Sequence, residues 1–449
     1  LVYAKQIIKE ILYMNRNKKL IAILSTAAVL ALGSSMCSFA ATGWQADGST
    51  WKYYDRDGYT VTDQWKKSGD EWYYLDSDGR MAINELIEDG DTYYYVDGSG
   101  RMVKNQWQYL EDEDGDFYWF YFQNTGKAKD DGFLTVDQHK YHFTDGKMDE
   151  GWLQDDDDTY YLNSEHDGTY GSVKTGWVYI DDFDDDDDVN ADEEGWYYFG
   201  TNGKMVTNEE KKINNAYYVF DENGLMLDNW VEFTEGSTAT SSDASSDTSI
   251  YKYYKAGNGA RVDGWLYLDD MGEEDEGRET EEGWYYFKKG IPYSASYKTT
   301  EIADNYGVAK INSKVYCFDD LGKMVTGKVE GSDDNWFYFD PDSGAMKQGK
   351  VKITDDDDLD DGTYYFNDKG SLGEKGESKT GVVKGYLYDN GELVEAEDGM
   401  KYEKVTVGGK DYLVNESGKV KTSGTVKDGD DVKWTVTKDS NGDYIITRE

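Results

Sequence analysis

The sequence predicts an all-β protein, a solenoid of stacked β-hairpins without a globular catalytic domain. The first observation is a unit of roughly 20 to 30 residues that recurs in about fifteen copies after residue 41. The second is composition, because 14 Trp and 40 Tyr offer an aromatic core to a chain with few aliphatic residues. The third is a formal net charge of -45, which would favour disorder if the aromatic residues were not in register.

Each unit consists of a leading Trp, a Tyr-rich run and a closing Gly-x-Met. Residues 65–81 show the complete form, WKKSGDEWYYLDSDGRM. The first copies keep a strict period, because Trp44, Trp65, Leu86 and Trp107 follow one another at intervals of 21 residues. Seven of the 11 Met residues stand two positions after the closing Gly, at Met81, Met102, Met148, Met205, Met226, Met324 and Met346.

Within a unit, two runs of aromatic or β-branched residues flank a short polar turn, which is the pattern of a β-hairpin. In WYYLD, alternation places Trp72 and Tyr74 on one face of the strand and Tyr73 and Leu75 on the other. Gly79 closes the next turn, where the backbone needs an angle that other residues avoid. A single hairpin is unstable in water, so the copies are expected to stack and cover the rings of their neighbours.

Later copies are longer, and the added residues fall between the leading Trp and the Tyr-rich run. Most additions are acidic, at residues 111–116, 155–158, 181–194, 269–282 and 355–361, whereas the addition at 236–249 is rich in Ser and Thr. Hairpin tips accept extra length at little entropic cost. Most of the excess negative charge is therefore expected on exposed tips.

The first 40 residues have the features of a secretory signal peptide that follows upstream residues and starts at Met14. An apolar run of 13 residues, 20–32, precedes small residues at Ser38 and Ala40, and it is shorter than the roughly 20 residues that span a bilayer. Cleavage after Ala40 would remove five basic residues and one acidic residue, which leaves a charge of -49. Cys37, a lipidation site in an alternative interpretation, would leave too, and Cys317 is predicted to be a buried, inert thiol.

The predicted organisation is therefore a leader at residues 1–40, hairpin repeats at 41–399 and degenerate C-terminal repeats at 400–449. We expect a secreted protein that is associated with the cell surface or the cell wall. The C-terminal residues YIITRE contain no apolar tail. Retention at a surface would then depend on binding.

The pattern of leading Trp, Trp-Tyr-Tyr-x-Asp-x-x-Gly and Met resembles the cell-wall-binding repeats of Gram-positive surface proteins, also called choline-binding repeats. It is similar as well to glucan-binding repeats and to the C-terminal repeats of large clostridial toxins. The resemblance covers nearly all of residues 41–449. It implies a hairpin solenoid that binds wall polymers or extracellular glycans, such as teichoic acid that carries choline, in clefts between repeats.

By the family pattern, a cleft combines the leading Trp, the first aromatic of the second strand and an aromatic of the next copy, with the Met nearby. The resemblance thus implies ligand-binding aromatic clefts at Trp44, Trp51, Trp65, Trp72, Met81, Trp107, Trp119, Trp177, Trp196, Trp265 and Trp284. Three copies depart from the pattern, because Leu86, Lys328 and Lys350 stand where the others have the leading Trp. The same rings are also compatible with purely structural stacking.

The sequence argues against several other functions. A strongly acidic chain is a poor partner for nucleic acid phosphates. We find no HExxH helix, no GxSxG elbow and no phosphate loop, and the repeats leave no room for a separate catalytic scaffold. The Asp runs lack the ligand spacing of a calcium loop. No catalytic residue, metal ligand or cofactor is therefore predicted, and weak binding of divalent cations by the acidic loops is left open.

The predicted function is non-catalytic attachment to cell-wall or extracellular glycan polymers through the aromatic clefts between repeats. The alternative is a structural or adhesive surface rod that contacts host proteins or its own copies, in which every aromatic ring is used for stacking. The oligomeric state is not specified by the sequence.

Overall fold

The computed structural model describes residues 42–112, 114–181, 194–233, 250–269, 280–332 and 335–449. These residues divide into two compact units, one that reaches Thr207 and includes Glu222–Met226, and one that comprises Asn208–Asp221 and Leu227–Glu449. The predicted leader, with Met14, Cys37 and the cleavage site, lies outside the described residues.

Up to Thr207 the chain forms β-strands joined by turns. The strands are β1 (Gly43–Asp47), β2 (Thr50–Tyr54), β3 (Gln64–Ser68), β4 (Glu71–Leu75), β5 (Glu85–Glu88), β6 (Tyr93–Val96), β7 (Gln106–Glu111), β8 (Phe117–Phe122), β9 (Leu134–Val136), β10 (His139–Tyr141), β11 (Phe143–Thr144), β12 (Lys147–Met148), β13 (Gly151–Asp155), β14 (Asp158–Leu162), β15 (Gly176–Ile180) and β16 (Gly195–Phe199).

From Asn208 onward the same architecture continues. The strands are β17 (Glu209–Ile213), β18 (Ala216–Phe220), β19 (Met226–Leu227), β20 (Asn229–Phe233), β21 (Ile250–Tyr254), β22 (Gly264–Leu268), β23 (Gly283–Lys288), β24 (Ile291–Pro292), β25 (Thr300–Ala303), β26 (Tyr306–Ile311), β27 (Lys314–Phe318), β28 (Met324–Val325), β29 (Gly327–Glu330), β30 (Trp336–Phe339), β31 (Gly349–Ile353), β32 (Gly362–Phe366), β33 (Gly381–Val383), β34 (Tyr386–Asp389), β35 (Glu392–Leu393), β36 (Tyr402–Val407), β37 (Lys410–Asn415), β38 (Gly424–Lys427), β39 (Lys433–Lys438) and β40 (Tyr444–Arg448).

Successive strands pair as antiparallel hairpins in small sheets, mostly of two strands. The part of the chain that the structure describes contains strands, bridges and turns but no α-helix. The fold class is therefore confirmed: an all-β chain of repeated hairpins. The reason is local, since each aromatic or β-branched run is too short to fold alone and pairs with the run that follows it across a turn.

Several closing turns are hydrogen-bonded to the hairpin of the preceding copy. The backbone N–H of Met81 donates to the carbonyl of Trp51 at 2.7 Å, and the N–H of Met102 donates to the carbonyl of Trp72 at 2.9 Å. The N–H of Met346 likewise donates to the carbonyl of Val315 at 2.8 Å. The Met slot that recurs in the sequence is thus the point at which one copy is joined to the preceding one.

The closing turn is built by its Asp and its Gly. Oδ1 of Asp76 accepts the N–H of Asp78 at 2.9 Å and the N–H of Arg80 at 2.7 Å, which satisfies two donors inside the turn. Gly79 has a φ of 71°, and a Cβ there would lie 2.3 Å from Cγ2 of Thr60. The predicted need for glycine at this position is confirmed, for reasons of both backbone angle and space.

The acidic additions connect the two strands of a hairpin, as predicted. Asp155 pairs with Asp158 at the tip of β13 and β14, and residues 355–361 join β31 to β32. Most of the additions at 181–194, 236–249 and 269–282 lie outside the described residues. Their flanks are paired nonetheless, Ile180 with Gly195 and Leu268 with Gly283.

The core consists of one face of each hairpin, together with aliphatic residues in the later copies. In β4, Tyr73 and Leu75 are buried, with 8% and 0% of their surface exposed. Cys317 is fully buried against Val315 and Phe337, and burial raises the pKa of its thiol to about 12. The predicted burial of this thiol is confirmed, and its low reactivity stays a prediction.

Candidate aromatic binding clefts

The pairing register places the aromatic residues of each hairpin on a common face. In β3 and β4, Trp65 lies opposite Tyr74 and Lys67 lies opposite Trp72. Because directly opposed residues share a face and alternate residues return to it, these four side chains lie on one side of the hairpin. The other side carries the buried Tyr73, as the alternation predicted.

The leading Trp of a hairpin packs against the Tyr opposite it and against a ring of the following hairpin. The ring centre of Trp44 lies 5.4 Å from those of Tyr53 and Tyr73. The ring centre of Trp65 lies 5.1 Å from those of Tyr74 and Tyr94. Most of these contacts are edge-to-face, the arrangement that aromatic quadrupoles favour.

The same three-ring cluster is present in the second unit. Trp265 lies 5.1 Å from Tyr286 of its own hairpin and 4.8 Å from Tyr316 of the next, between ring centres. Further clusters of this kind are centred on Trp107, Trp152 and Trp230. Trp336 differs, because it lies on the second strand of its hairpin and packs against Tyr364 and Phe366 of the next one. Burial differs among them, since Trp230 and Trp336 are only 5% and 3% exposed.

Two hairpins extend the aromatic face to an exposed tip. In β15 and β16, Tyr179 lies opposite Trp196, with ring centres 5.3 Å apart and 46% and 41% of their surfaces exposed. In β22 and β23, Tyr267 lies opposite Trp284 at 5.5 Å, with 43% and 45% exposed. These four rings therefore present open faces to solvent.

A carboxylate stands beside each exposed pair. The hydroxyl of Tyr179 donates to Oε1 of Glu194 at 2.5 Å, and the hydroxyl of Tyr267 donates to Oε1 of Glu282 at 2.5 Å. These hydrogen bonds raise the pKa of both tyrosine hydroxyls above the ordinary value. The hydroxyls remain neutral donors at physiological pH, and each carboxylate adds negative charge next to aromatic faces.

Two models of known repeat families match parts of this sequence. The sequence model of the choline-binding repeat matches residues 41–84, 61–107 and 306–350. The sequence model of the cell wall binding repeat matches residues 150–165 and 189–205. The chain carries choline-binding and cell wall binding repeats. The resemblance predicted from the Trp, Tyr, Gly and Met register is confirmed.

Several known proteins are similar to this repeat chain. Glucosyltransferase-S of Streptococcus downei is 26% identical over 240 residues, which are 47% of this chain and 16% of the glucosyltransferase. The autolysin LytC of Streptococcus pneumoniae is 21% identical, with 63% of this chain and 52% of that chain covered and a TM-score of 0.38. Choline binding protein F of the same organism is 20% identical, with 78% and 98% covered and a TM-score of 0.27. The chain thus spans about a sixth of the curated glucosyltransferase it matches.

The structure brings the two Trp residues of each predicted pair to one face of their repeat. Trp107 and Trp119 have ring centres 6.4 Å apart, as do Trp177 and Trp196. Trp44 with Trp51, Trp65 with Trp72, and Trp265 with Trp284 share a face by register without facing one another directly. That these residues bind a ligand stays a prediction.

Met81 contacts the following repeat rather than only its own cleft. A Cβ at Gly100, which has a φ of 79°, would lie 2.8 Å from Cε and 3.0 Å from Sδ of Met81. The side chain therefore packs against the glycine backbone of the next closing turn. The same Met-to-Gly contact recurs as Met102 with Gly126, Met148 with Gly171, Met205 with Gly224, Met324 with Gly344 and Met346 with Gly376.

Sequence reasoning missed the Tyr that stands two residues after the leading Trp. Tyr109, Tyr179 and Tyr267 each lie opposite the second Trp of their repeat and contact it. The signal was present, because a spacing of two residues on a strand returns a side chain to the same face. The aromatic residue that the next repeat contributes to each cleft could not be identified from the sequence, because it depends on how the hairpins stack.

Other chemistry has little support in the described residues. Within those ranges no three His, Cys, Asp or Glu side chains come together in a metal-binding arrangement. Nδ1 of His142, which follows β10, lies 2.5 Å from Oδ2 of Asp149, which follows β12. No helix among the described residues is long and apolar enough to cross a membrane. Weak divalent-cation binding by the acidic tips stays a prediction.

Proposed function

We propose that this repeat protein is an exported, non-catalytic binder of cell-wall polymers, and that its ligand is a quaternary ammonium such as the choline of teichoic acid. The observation that carries the proposal is the exposed aromatic pair next to a carboxylate, Tyr179 and Trp196 beside Glu194 and Tyr267 and Trp284 beside Glu282. The matched choline-binding repeats support it.

The chemistry of the exposed pairs suits a cation without hydrogen-bond donors. A quaternary ammonium is held by ring faces, and each ring contributes about 0.5 to 2 kcal/mol. Two or three rings therefore give affinities on the order of millimolar. A polymer that engages several repeats at once can gain a factor of about 10² to 10⁴ in avidity. Several repeats together therefore give an affinity for the polymer that a single cleft does not reach.

Charge favours the same class of ligand. The chain carries a net charge of -45, or -49 without residues 1–40, so a bare polyanion would be repelled. The carboxylates of Glu194 and Glu282 place negative charge where a cationic head group would contact the rings. A neutral glucan can use these carboxylates only as hydrogen-bond acceptors, whereas the cationic end of a zwitterionic phosphocholine is attracted by their charge.

The structural alternative has its own support in particular repeats. Trp230 and Trp336 are buried, and each packs against the rings of the following hairpin. Their indole N–H groups are also bonded, that of Trp230 to Oγ1 of Thr280 at 2.7 Å and that of Trp336 to the carbonyl of Asn390 at 2.8 Å. In these copies the rings stabilise the fold, and the binding sites belong to the exposed hairpins.

The test is retention of the chain, with and without residues 1–40, on purified Gram-positive cell walls. We expect retention that excess choline abolishes and soluble glucan does not. The double variant Trp196→Ala and Trp284→Ala should be eluted at lower choline concentration, while Lys310→Ala, at an exposed strand position, should behave as wild type. Elution by glucan but not by choline would contradict the ligand class, and no retention under any condition would contradict wall binding.

A further inference from the structure

Three repeats hold a lysine where the others hold an aromatic wall of the cleft. Lys328 and Lys350 replace the leading Trp, since they lie opposite Tyr338 and Tyr365 as Trp65 lies opposite Tyr74. Lys140 replaces the first aromatic of the second strand. It lies opposite Thr135, two residues beyond Phe133, just as Trp72 lies opposite Lys67, two residues beyond Trp65.

The ammonium group of Lys140 lies within the aromatic cleft of its own repeat. Its Nζ lies 3.5 Å from the ring centre of Phe133 and 4.9 Å from that of Tyr160 in the next hairpin. The ring of His142 packs against Phe133 at 4.6 Å between centres. Phe133 and Tyr160 thus take the places of the leading Trp and the next-copy aromatic, and a cation lies between them.

The ammonium groups of Lys328 and Lys350 each lie near another aromatic ring of their cleft. Nζ of Lys328 lies 5.5 Å from the ring centre of Trp336, the first aromatic of the second strand, and 2.5 Å from Oε1 of Glu330. Nζ of Lys350 lies 5.0 Å from the ring centre of Tyr386 in the next hairpin. All four distances from these lysines to ring centres fall within the roughly 6 Å at which a cation is attracted by an aromatic face.

We propose that Lys140 and Lys350 are built-in ligands that occupy the clefts of their own repeats and exclude an external quaternary ammonium from them, whereas at Lys328 the next hairpin already covers the ring of Trp336. The inference rests on the proposed function, because it assumes that the unoccupied clefts bind such a cation. Its consequence is that the number of working sites is set by where lysine replaces an aromatic wall.

Partial burial is consistent with this role for Lys140. Burial lowers the pKa of its ammonium, and the carboxylates of Asp155 and Asp158 oppose that effect. An ammonium that is partly withdrawn from water and faces two rings is in the environment that an external choline head group would need.

The experiment counts bound tetramethylammonium by equilibrium dialysis against the full chain. Lys140→Ala removes the ammonium and opens the space between Phe133 and Tyr160, and we expect about one additional bound cation per chain, with an affinity on the order of millimolar. Lys140→Met is the matched control, because a neutral side chain of similar length fills the space, and it should add no site. Circular dichroism verifies that both variants fold.

Lys350→Trp is a second, independent test, because it restores the leading Trp. Lys350 is exposed, so the change should not impair folding. We expect it to add a site, whereas Lys350→Met, which fills the same space with a neutral side chain and restores no ring, should not. A gain in Lys140→Ala or Lys350→Trp supports the proposal, even if the wild-type chain binds nothing.

The outcomes separate this inference from the proposed function. If the wild-type chain binds tetramethylammonium and neither variant binds more, the built-in ligands are refuted and the proposed function stands. If a variant binds and the wild-type chain does not, the lysines do exclude ligand and the proposal for the exposed hairpins fails. If no chain binds, both are refuted.

Discussion

Two hairpins of the second unit show how one scaffold produces an open and a closed aromatic face. In β22 and β23 the leading position is Trp265, and Trp284 is 45% exposed at the tip. In β29 and β30 the leading position is Lys328, and Trp336, at the place of Trp284, is 3% exposed. The pairing register is equivalent in the two hairpins, so the difference in exposure comes from what packs against each ring.

The difference has a physical basis in what lies beyond the tip ring. Trp336 packs against Phe366 of the next hairpin at 5.0 Å and donates its indole N–H to the carbonyl of Asn390. Trp284 contacts Tyr267 of its own hairpin, and in the sequence the acidic addition at 269–282 separates these two residues. A ring covered by the next copy stabilises the fold, whereas a ring left open at a tip is free to contact a ligand.

The largest expected effect is on stability. Trp336→Ala should lower the free energy of unfolding by about 3 to 5 kcal/mol, because it leaves a cavity among buried rings and an unpaired carbonyl at Asn390. Trp284→Ala, the matched change in the open hairpin, should cost less than about 1 kcal/mol. Urea unfolding followed by circular dichroism checks both, and equal losses in the two variants would break the comparison.

The contact of Met324 with Gly344, which joins two copies, should show the next largest effect on the free energy of unfolding. In the closed copy a Cβ at Gly344 would lie 2.4 Å from Sδ of Met324, and Gly344 has a φ of 67°. Gly344→Ala should therefore cost about 1 to 3 kcal/mol in urea unfolding, from backbone strain and crowding together.

Gly327→Ala is the control for Gly344→Ala, since Gly327 has a φ of 76° and nothing lies within 4 Å of where its Cβ would be. It should cost only the strain of the backbone angle, about 1 to 2 kcal/mol. The combination of Gly344→Ala with Met324→Ala should relieve the crowding. If Gly344→Ala costs no more than Gly327→Ala, the Met-to-Gly contact contributes nothing.

The open hairpin should show its main effect in binding. Trp284→Ala removes one ring face, so the affinity of that cleft for choline should weaken by about 0.5 to 2 kcal/mol, which is roughly 2- to 30-fold. Calorimetric titration with choline chloride measures the change. Trp284→Phe retains an aromatic face and should recover part of the affinity, whereas full recovery by Trp284→Leu would indicate that only apolar area matters.

Acid stability should show the smallest effect, in the closed copy. The hydrogen bonds that Asp340 accepts from Lys347 and Ser343 lower the pKa of its carboxyl to about 2. A lowered pKa stabilises the fold fully above the unfolded value near 3.8, and this stabilisation is lost as the pH falls toward 2. Because the pair is partly exposed to solvent, the expected contribution is about 1 kcal/mol.

Unfolding of the wild-type chain and of Asp340→Asn, measured at pH 2 and at pH 6, checks this. The difference between the two chains should be present at pH 6 and should shrink at pH 2. A difference that does not change with pH would mean that the ion pair with Lys347 contributes nothing to stability.

The hairpins and the sharing of a face within each hairpin could be predicted from the sequence, because both depend on local periodicity. The alternation in WYYLD correctly separated Trp72 and Tyr74 from the buried Tyr73. The turn glycine at Gly79 was predicted for the same reason, since the closing turn is formed by residues adjacent in sequence.

Contacts between copies could not be predicted in this way. The burial of Trp336 depends on Phe366, some thirty residues further along, and the contact of Met81 with Gly100 depends on the rise from one copy to the next. Lys328 and Lys350 were recognised as departures from the pattern, whereas Lys140 was not, and the direction of its ammonium toward Phe133 and Tyr160 is seen only once the hairpins are stacked. Local rules place residues on a face, and stacking decides what covers that face.

The most direct test of the account is ¹⁹F NMR of the chain labelled with 5-fluorotryptophan and titrated with choline chloride, with each resonance assigned by a Trp→Phe variant. The account predicts saturable shifts for Trp196 and Trp284, with dissociation constants on the order of millimolar, and unchanged resonances for Trp230 and Trp336. Shifts of the buried residues with none at Trp196 and Trp284, or no saturable shift at all, would contradict it.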